Sequence, residues 1–364
     1  MAALLHILVL FAGLLLNPSS CHDHNSHQHK ALFIFGDSLF DAGNNNYINT
    51  SDRFQYNFRP YGETFFGYPT GRPSDGRLIP DFIAEYAKLP FIPPYLQPGF
   101  NNYTYGVNFA SAGAGALPES FQGFVRDFKT QLSYLKNVKK QLRQKLGDGE
   151  AHELISRAVY LISIGTNDYY SPFTANSSLF QSHSHEEYVG MVVGNITNVI
   201  KEMYEIGGRK FAFANVMPLG CLPGFRILDP ESIGSCQKAE VTGLANLHNK
   251  KVATVLLKLK SQLQGFEYSN ADFNTYLTNR MNHPSKYGFK EGKIACCGSG
   301  PYRGIQNCAG RGGVKEYELC ANVTEYVFFD NHPTERVYQQ VSKLWWSKTP
   351  TVKGPHNLKA LFEA

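Results

Sequence analysis

The 364-residue sequence predicts an α/β fold in which a mostly parallel sheet is covered by helices on both faces. Three observations support it. Short apolar runs alternate with long helical patterns, the arrangement that builds parallel sheets. These runs lack the period-two alternation of a half-exposed strand, so they suit strands buried on both sides. No internal repeat or linker divides the chain, so a single domain over 31–347 is expected; 43% hydrophobic and 13% aromatic residues suffice for a sizeable core.

The elements follow in order. Residues 1–21 read as a secretory signal peptide: an apolar stretch from Ala2 to Leu16, then Pro18, Ser19 and Ser20 ahead of a cut near Cys21. A His-rich polar leader, 22–30, holds His22, His24, His27 and His29. Ala31 to Phe35 is the first strand, and a Gly-, Pro- and Asn-rich segment follows to Asp75. Leu78 to Lys88 reads as a helix and Val107 to Ala110 as a second strand. Phe121, Phe124, Val125, Phe128, Leu132, Leu135, Leu142 and Leu146 recur at helical spacing and predict one long helix. Val159 to Ile164 is a third strand, Tyr188 to Ile206 a helix and Phe211 to Val216 a fourth strand. A helix over Ser232 to Leu263 precedes a fifth strand, Phe266 to Ser269. Asn282 to Cys320 is Gly- and Cys-rich and reads as loop, Pro333 opens a last helix, and 348–364 is a C-terminal tail.

Export, expected from the leader, agrees with sequons at Asn49, Asn102, Asn176, Asn195 and Asn322. It also agrees with an even set of cysteines after Cys21: Cys221, Cys236, Cys296, Cys297, Cys308 and Cys320. Three disulfides are possible, their connectivity open; adjacent Cys296 and Cys297 should take different partners. No CxxC spacing points to zinc, and no later run is long enough to span a membrane. The net charge of +5 is small and points to no nucleic-acid partner. Seven Lys or Arg against one acid between Arg126 and Lys145 mark a basic element, a solvated face or a weak cell-wall or membrane-surface contact.

The chemistry sits where strands end. Ligands of parallel sheets bind beyond the carboxyl ends of the strands. There the sequence places Asp37 and Ser38, then Ser111 to Gly115, then Gly165 to Asp168, and late in the chain Asp330 and His332. These are parts for acyl transfer: a hydroxyl, an imidazole to take its proton, a carboxylate to orient the imidazole, and Gly and Asn donors for an oxyanion. GxSxG and HExxH are absent, and GFKEGK is one residue short of a P-loop. Asp37 and Asp41 read as turn stabilisers and Asp168 as a loop anchor. His152, His183, His185, His248, His283 and His356 form no ligand cluster, so no metal is expected. The rings between Phe54 and Tyr68 wall an acyl pocket or pack beneath a long loop.

FIFGDSLFDAGNNNY, PTGRPSDGRLIPDFIAEYAKLP, YGVNFASAGAG, ISIGTNDYY and FFDNHPTE occur in that order, and on them the sequence resembles a plant GDSL esterase/lipase of the SGNH hydrolase superfamily. The likeness runs from Ala31 to Trp346. It implies a three-layer α/β/α sandwich of flavodoxin-like type and a serine esterase that acts on small-molecule or lipid esters without a cofactor. Ser38 would be the nucleophile and His332 the base oriented by Asp330; the Ser38 amide, Gly113 and Asn167 would form the oxyanion hole. ACCGSGPYRG and CAGRGG resemble the defence-linked branch. The resemblance implies a secreted monomer of the apoplast or cell wall.

Two features depart from the family pattern. Pro73 stands where an aromatic is usual. More seriously, Asn331 alone separates Asp330 from His332, where the family places the acid three residues ahead. Side chains two apart on a helical turn do not meet, so the carboxylate is aimed elsewhere unless the loop re-forms. That leaves two rivals to a hydrolase: an acyltransferase that discharges the same acyl-enzyme to an alcohol, and a catalytically impaired binding glycoprotein.

Overall fold

The computed structural model describes residues 30–175, 177–227, 236, 239–313, 315–347 and 352–364. The signal-peptide expectation, nearly all of the His-rich leader, and the Asn176 sequon lie outside them.

The fold is built around a six-stranded sheet. Its strands are β1 (Leu32–Gly36), β2 (Gly106–Asn108), β3 (Val159–Ser163), β4 (Lys210–Ala214), β5 (Glu267–Ala271) and β6 (Val352–Lys353). They lie in the order β6-β5-β4-β3-β1-β2. β1 to β5 are parallel, and β6 runs antiparallel to β5, Val352 opposite Ala271. β1 and β3 are wholly buried, as continuous apolar runs require. The chain leaves β1 toward β2 on one side and returns as β3 on the other, so a crevice opens where the order reverses.

Helices cover the sheet in two groups. One comprises α2 (Phe128–Leu146), α3 (Asp148–Arg157), α4 (Thr166–Ala175), α5 (His185–Ile206) and α6 (Ala239–Gln262). The other comprises α1 (Ile79–Tyr86), α8 (Glu335–Trp346) and α9 (Leu358–Glu363); α7 (Phe273–Asn282) follows β5. Among the described residues no helix is long and apolar enough to cross a membrane.

Three expectations need correcting. The long helix begins at Phe128, where the Asp127 carboxylate caps the Thr130 N–H; Phe121, Phe124 and Val125 precede it. Gly123 at φ +84° turns the chain before that cap, where Val125 is buried and Phe121 packs on the core while Phe124 stays exposed. The residues after 347 do not form a mere tail: β6 extends the sheet and α9 packs on β4 and β5. The Gly- and Cys-rich region also carries short strands, Glu291–Ala295 paired with Tyr326–Phe328 and Cys297–Gly298 paired with Glu318–Leu319.

The disulfides join Cys221 to Cys236, Cys296 to Cys320 and Cys297 to Cys308. The adjacent pair thus divides between two partners, and both bonds close on the segment that runs back toward β1's carboxyl end. The basic face of α2 is largely engaged: Lys136 pairs with Glu202, Lys139 donates to the Ile206 carbonyl, Arg143 pairs with Asp148 and Lys145 donates to Asn102.

Candidate active site

β1 delivers Ser38 by stopping abruptly. Gly36 ends the strand at φ +138°, and a Cβ there would lie 2.0 Å from the Ser163 carbonyl oxygen, so only glycine lets β1 and β3 stay paired to their ends. Gln131, fully buried on α2, holds this terminus from both sides: its Oε1 accepts from Gly36 N–H and its Nε2 donates to Gly36 O, each at 2.8 Å. The turn formers that follow brace a neighbouring loop. Asp41 accepts from Gly43, Asn44 and Ala112 amides. Asn44 Nδ2 donates to the Asn108 and Ala110 carbonyls, and Asn45 Nδ2 to those of Ala112 and Phe54. The DAGNNN block therefore fixes the strand-end loop that carries Gly113.

Ser38 meets His332 across 294 residues of sequence, with Ser38 Oγ 2.8 Å from His332 Nε2. On the far side of the ring, His332 Nδ1 lies 2.8 Å from Asp330 Oδ1. The two-residue separation works because the segment is not helical. Asp330 Oδ1 also accepts the His332 backbone N–H at 2.7 Å, an Asx turn that brings the ring's own residue under the carboxylate. Phe329 N–H donates to His332 O and Thr334 N–H to Val327 O, closing the turn between the Tyr326–Phe328 strand and α8. Asn331, the intervening residue, turns outward and accepts from Gly224 N–H at 2.5 Å.

The carboxylate is buried, at 1% exposure. Burial alone would raise its pKa; the facing imidazole, by charge and hydrogen bond, and the Arg311 guanidinium outweigh that and hold it well below the usual carboxylate range. An ionised carboxylate only accepts, so Nδ1 carries the imidazole proton and Nε2 is left to accept from the serine hydroxyl.

Possible oxyanion donors come from three adjacent strand ends. Ser38 follows β1 and Gly113 follows β2; among the described residues neither gives its backbone N–H to a protein acceptor. Asn167 follows β3 and is 7% exposed; its Nδ2 donates one hydrogen to Ala114 O at 2.9 Å, leaving the other. Gly113 sits at φ +88°, and a Cβ would strike the Phe54 ring at 2.6 Å. Asp168 anchors the same loop, accepting from Ala116 and Leu117 amides and from Ser120 Oγ. Asp37 Oδ1 accepts from Leu39 N–H, and Asp41 accepts from backbone amides of its own turn and from Ala112, so both serve the backbone. His248 is buried against the Tyr169 hydroxyl; burial pushes it down to about 3, a neutral core histidine. No group of three or more metal-ligating side chains occurs among the described residues.

The model of the GDSL-like lipase/acylhydrolase family matches residues 32–345. The chain belongs to that family. Similar proteins include GDSL esterase/lipase 2 of Arabidopsis thaliana, 56% identical over 96% of this chain and 95% of that one. A GDSL lipase of Tanacetum cinerariifolium is 52% identical over 98% and 94%. A solved GDSL-like lipase from Parabacteroides merdae has 13% identity and a TM-score of 0.40 over 87% of this chain and 94% of that one. This GDSL protein is accordingly a carboxylic ester hydrolase.

Tyr56 and Tyr61, two of the rings between Phe54 and Tyr68, and Gln306 surround Asp330 and His332 in this GDSL esterase. Tyr61 OH donates to Asp330 Oδ2 at 2.7 Å, and Gln306 Nε2 to the same oxygen at 3.1 Å. The Tyr56 ring stands edge-on to His332, centroids 5.4 Å apart. Nothing in local spacing marks them, since their partners are 24 to 276 residues away.

Proposed function

We propose that this protein is a serine esterase working through an acyl-serine intermediate, with Ser38, His332 and Asp330 as its catalytic residues. The observation that carries the reading is the unbroken hydrogen-bonded chain from Ser38 Oγ through both imidazole nitrogens to Asp330, each link 2.8 Å. His332 Nε2 takes the hydroxyl proton as Oγ bonds to the ester carbonyl carbon. The carbonyl oxygen gains the negative charge and is met by the Ser38 and Gly113 amides and the free Asn167 hydrogen; each such donor supplies roughly 3 to 4 kcal/mol of transition-state stabilisation. The imidazolium returns its proton to the departing alkoxide, which leaves as alcohol. Water, deprotonated by the same nitrogen, then bonds to the acyl carbon; the bond to Ser38 Oγ breaks, the imidazolium returns its proton to Oγ, and the carboxylic acid leaves. Aromatic rings beside Gly113 offer the acyl group an apolar seat: the tilted rings of Phe54 and Phe121 have centroids 4.9 Å apart, and Phe121 lies 6.4 Å from Tyr170.

Export is part of the reading. Three disulfides support an oxidising compartment. Asn49, Asn102 and Asn322 are exposed and open to glycosylation, whereas Asn195 is half-buried on α5 with its Nδ2 on the Met191 carbonyl. Replacing Ser38 by Ala abolishes hydrolysis of p-nitrophenyl butyrate and leaves the melting temperature within a few degrees of wild type. A folded variant that retains wild-type turnover rules out Ser38 as nucleophile.

A further inference from the structure

We propose that Arg311 is a positioning residue for this reaction: acting through Tyr61, it fixes the plane and charge of the Asp330 carboxylate, whose Oδ2 is bonded from outside its own segment. This rests on the assignment of Ser38, His332 and Asp330 above.

The two carboxylate oxygens are held in different ways. Oδ1 takes both of its bonds from His332, so those contacts set its direction but leave the carboxylate free to swing about that contact. Oδ2 is fixed from elsewhere, by Tyr61 and Gln306. A phenol has one proton, and Arg311 decides where it points. Arg311 Nη2 donates to Tyr61 Oη at 2.6 Å, so the oxygen's acceptor side is filled and its own hydrogen goes to Asp330. The guanidinium also lies 3.7 Å from Asp330 Oδ2 and supplies the positive charge that a carboxylate this deeply buried requires.

Arg311 is itself built in. It is 3% exposed, donates from Nη1 to Gln55 O at 2.8 Å and from Nε to Cys308 O at 3.2 Å. Its plane lies over the Tyr56 and Tyr61 rings, at 4.6 and 5.0 Å from their centroids. Tyr56 in turn packs against His332, so one side chain steadies both the acid and the ring it orients. Five donors in a rigid fork make divergent bonds to Tyr61, Gln55, Asp52 and Cys308 that a lysine ammonium on a flexible stem cannot reproduce together. The CAGRGG motif that carries Arg311 has Cys308 at its head, bonded to Cys297, so a disulfide anchors the loop at this distance from the triad.

The titratable and charged groups facing Asp330 are His332, Arg311, Tyr56, Tyr61, Tyr170 and Tyr338. Burial raises all four phenols, so they remain neutral across the working range. Removing the Arg311 cation makes protonated Asp330 easier to form, which moves the acid limb of activity to higher pH.

The test measures kcat and KM for p-nitrophenyl butyrate against pH in wild type, Arg311→Gln, Arg311→Lys and Tyr61→Phe, with fluorophosphonate labelling of Ser38 in each. Expected for Arg311→Gln is a fall in kcat of at least about tenfold, below the ~10⁴-fold of losing the triad acid itself, with KM little changed. The acid limb of kcat/KM moves up by about one pH unit. Arg311→Lys restores the acid limb but not kcat, and Tyr61→Phe lowers kcat with a smaller shift of the limb. Should Arg311→Gln fail to fold, the Lys and Phe variants carry the same contrast. Wild-type kcat and an unmoved acid limb in folded variants whose Ser38 is labelled overturn the positioning role alone. Failure of wild-type Ser38 to label overturns the catalytic assignment, and the positioning role with it.

Discussion

Asp330 reaches His332 because its carboxylate caps the backbone of the residue it serves. An Asx turn spans two residues by construction, so a block one residue shorter than the family's usual spacing still puts Oδ1 on Nδ1. On a helical turn side chains two apart do not meet, but the segment is not helical: it is a tight return between a strand and α8. Asp330→Asn keeps the shape but offers an amide in place of an acceptor-only group, which disturbs the imidazole tautomer. We expect kcat to fall by up to about 10⁴-fold with KM nearly unchanged and the protein still folded, measured by steady-state kinetics beside a thermal melt. A loss of less than about threefold means that the carboxylate does not orient the ring.

Strand ends, rather than loops at large, set the positions of the reactive groups. β1, β2 and β3 lie side by side, and their termini present Ser38, Gly113 and Asn167 in turn. This much could be read beforehand, because a strand buried on both faces is a continuous apolar run whose first polar residue marks its carboxyl end. What could not be read were the braces. Gln131 sits among apolar residues of α2 and makes its bonds to a glycine 95 positions away, for which local periodicity has no signature. Gln131→Ala leaves the Gly36 N–H buried without a partner, while the Gly36 carbonyl keeps the Ser111 N–H. That orphan costs about 1 to 3 kcal/mol, so urea unfolding should show a loss of that order together with a lower kcat as the β1 terminus loosens. Unchanged stability would mean that the clamp is dispensable. Short helices such as α3 and α7, and strand β6, escaped notice for a related reason: their apolar stretches are shorter than the two or three turns that a period needs.

Three buried carboxylates around the crevice give the fold a pH dependence of definite sign. Burial raises Asp37 to about 7, with neighbouring Asp168 adding to the rise, and raises Asp41 and Asp168 to about 6 despite their backbone donors. Asp37 Oδ2 meets no donor among the described residues. Carboxyls in the unfolded chain titrate near 4, so between about pH 4 and 7 the folded state holds more protons than the unfolded one. Stability therefore falls as pH rises through that window. Asp330, held low, acts the opposite way, but only below it. Melting temperature should be higher near pH 5 than near pH 8, and Asp37→Asn should flatten the difference; a melting temperature that climbs steadily from pH 5 to 8 contradicts this.

The account turns on one proton transfer between the end of β1 and the turn that precedes α8. Intact mass and peptide mapping after exposure to a fluorophosphonate test it directly, because the reagent is attacked only by an activated serine. The expected result is a single adduct on Ser38 in the wild type and none in folded His332→Ala. No adduct in the wild type, an adduct on another serine, or undiminished labelling of Ser38 without His332 would contradict it.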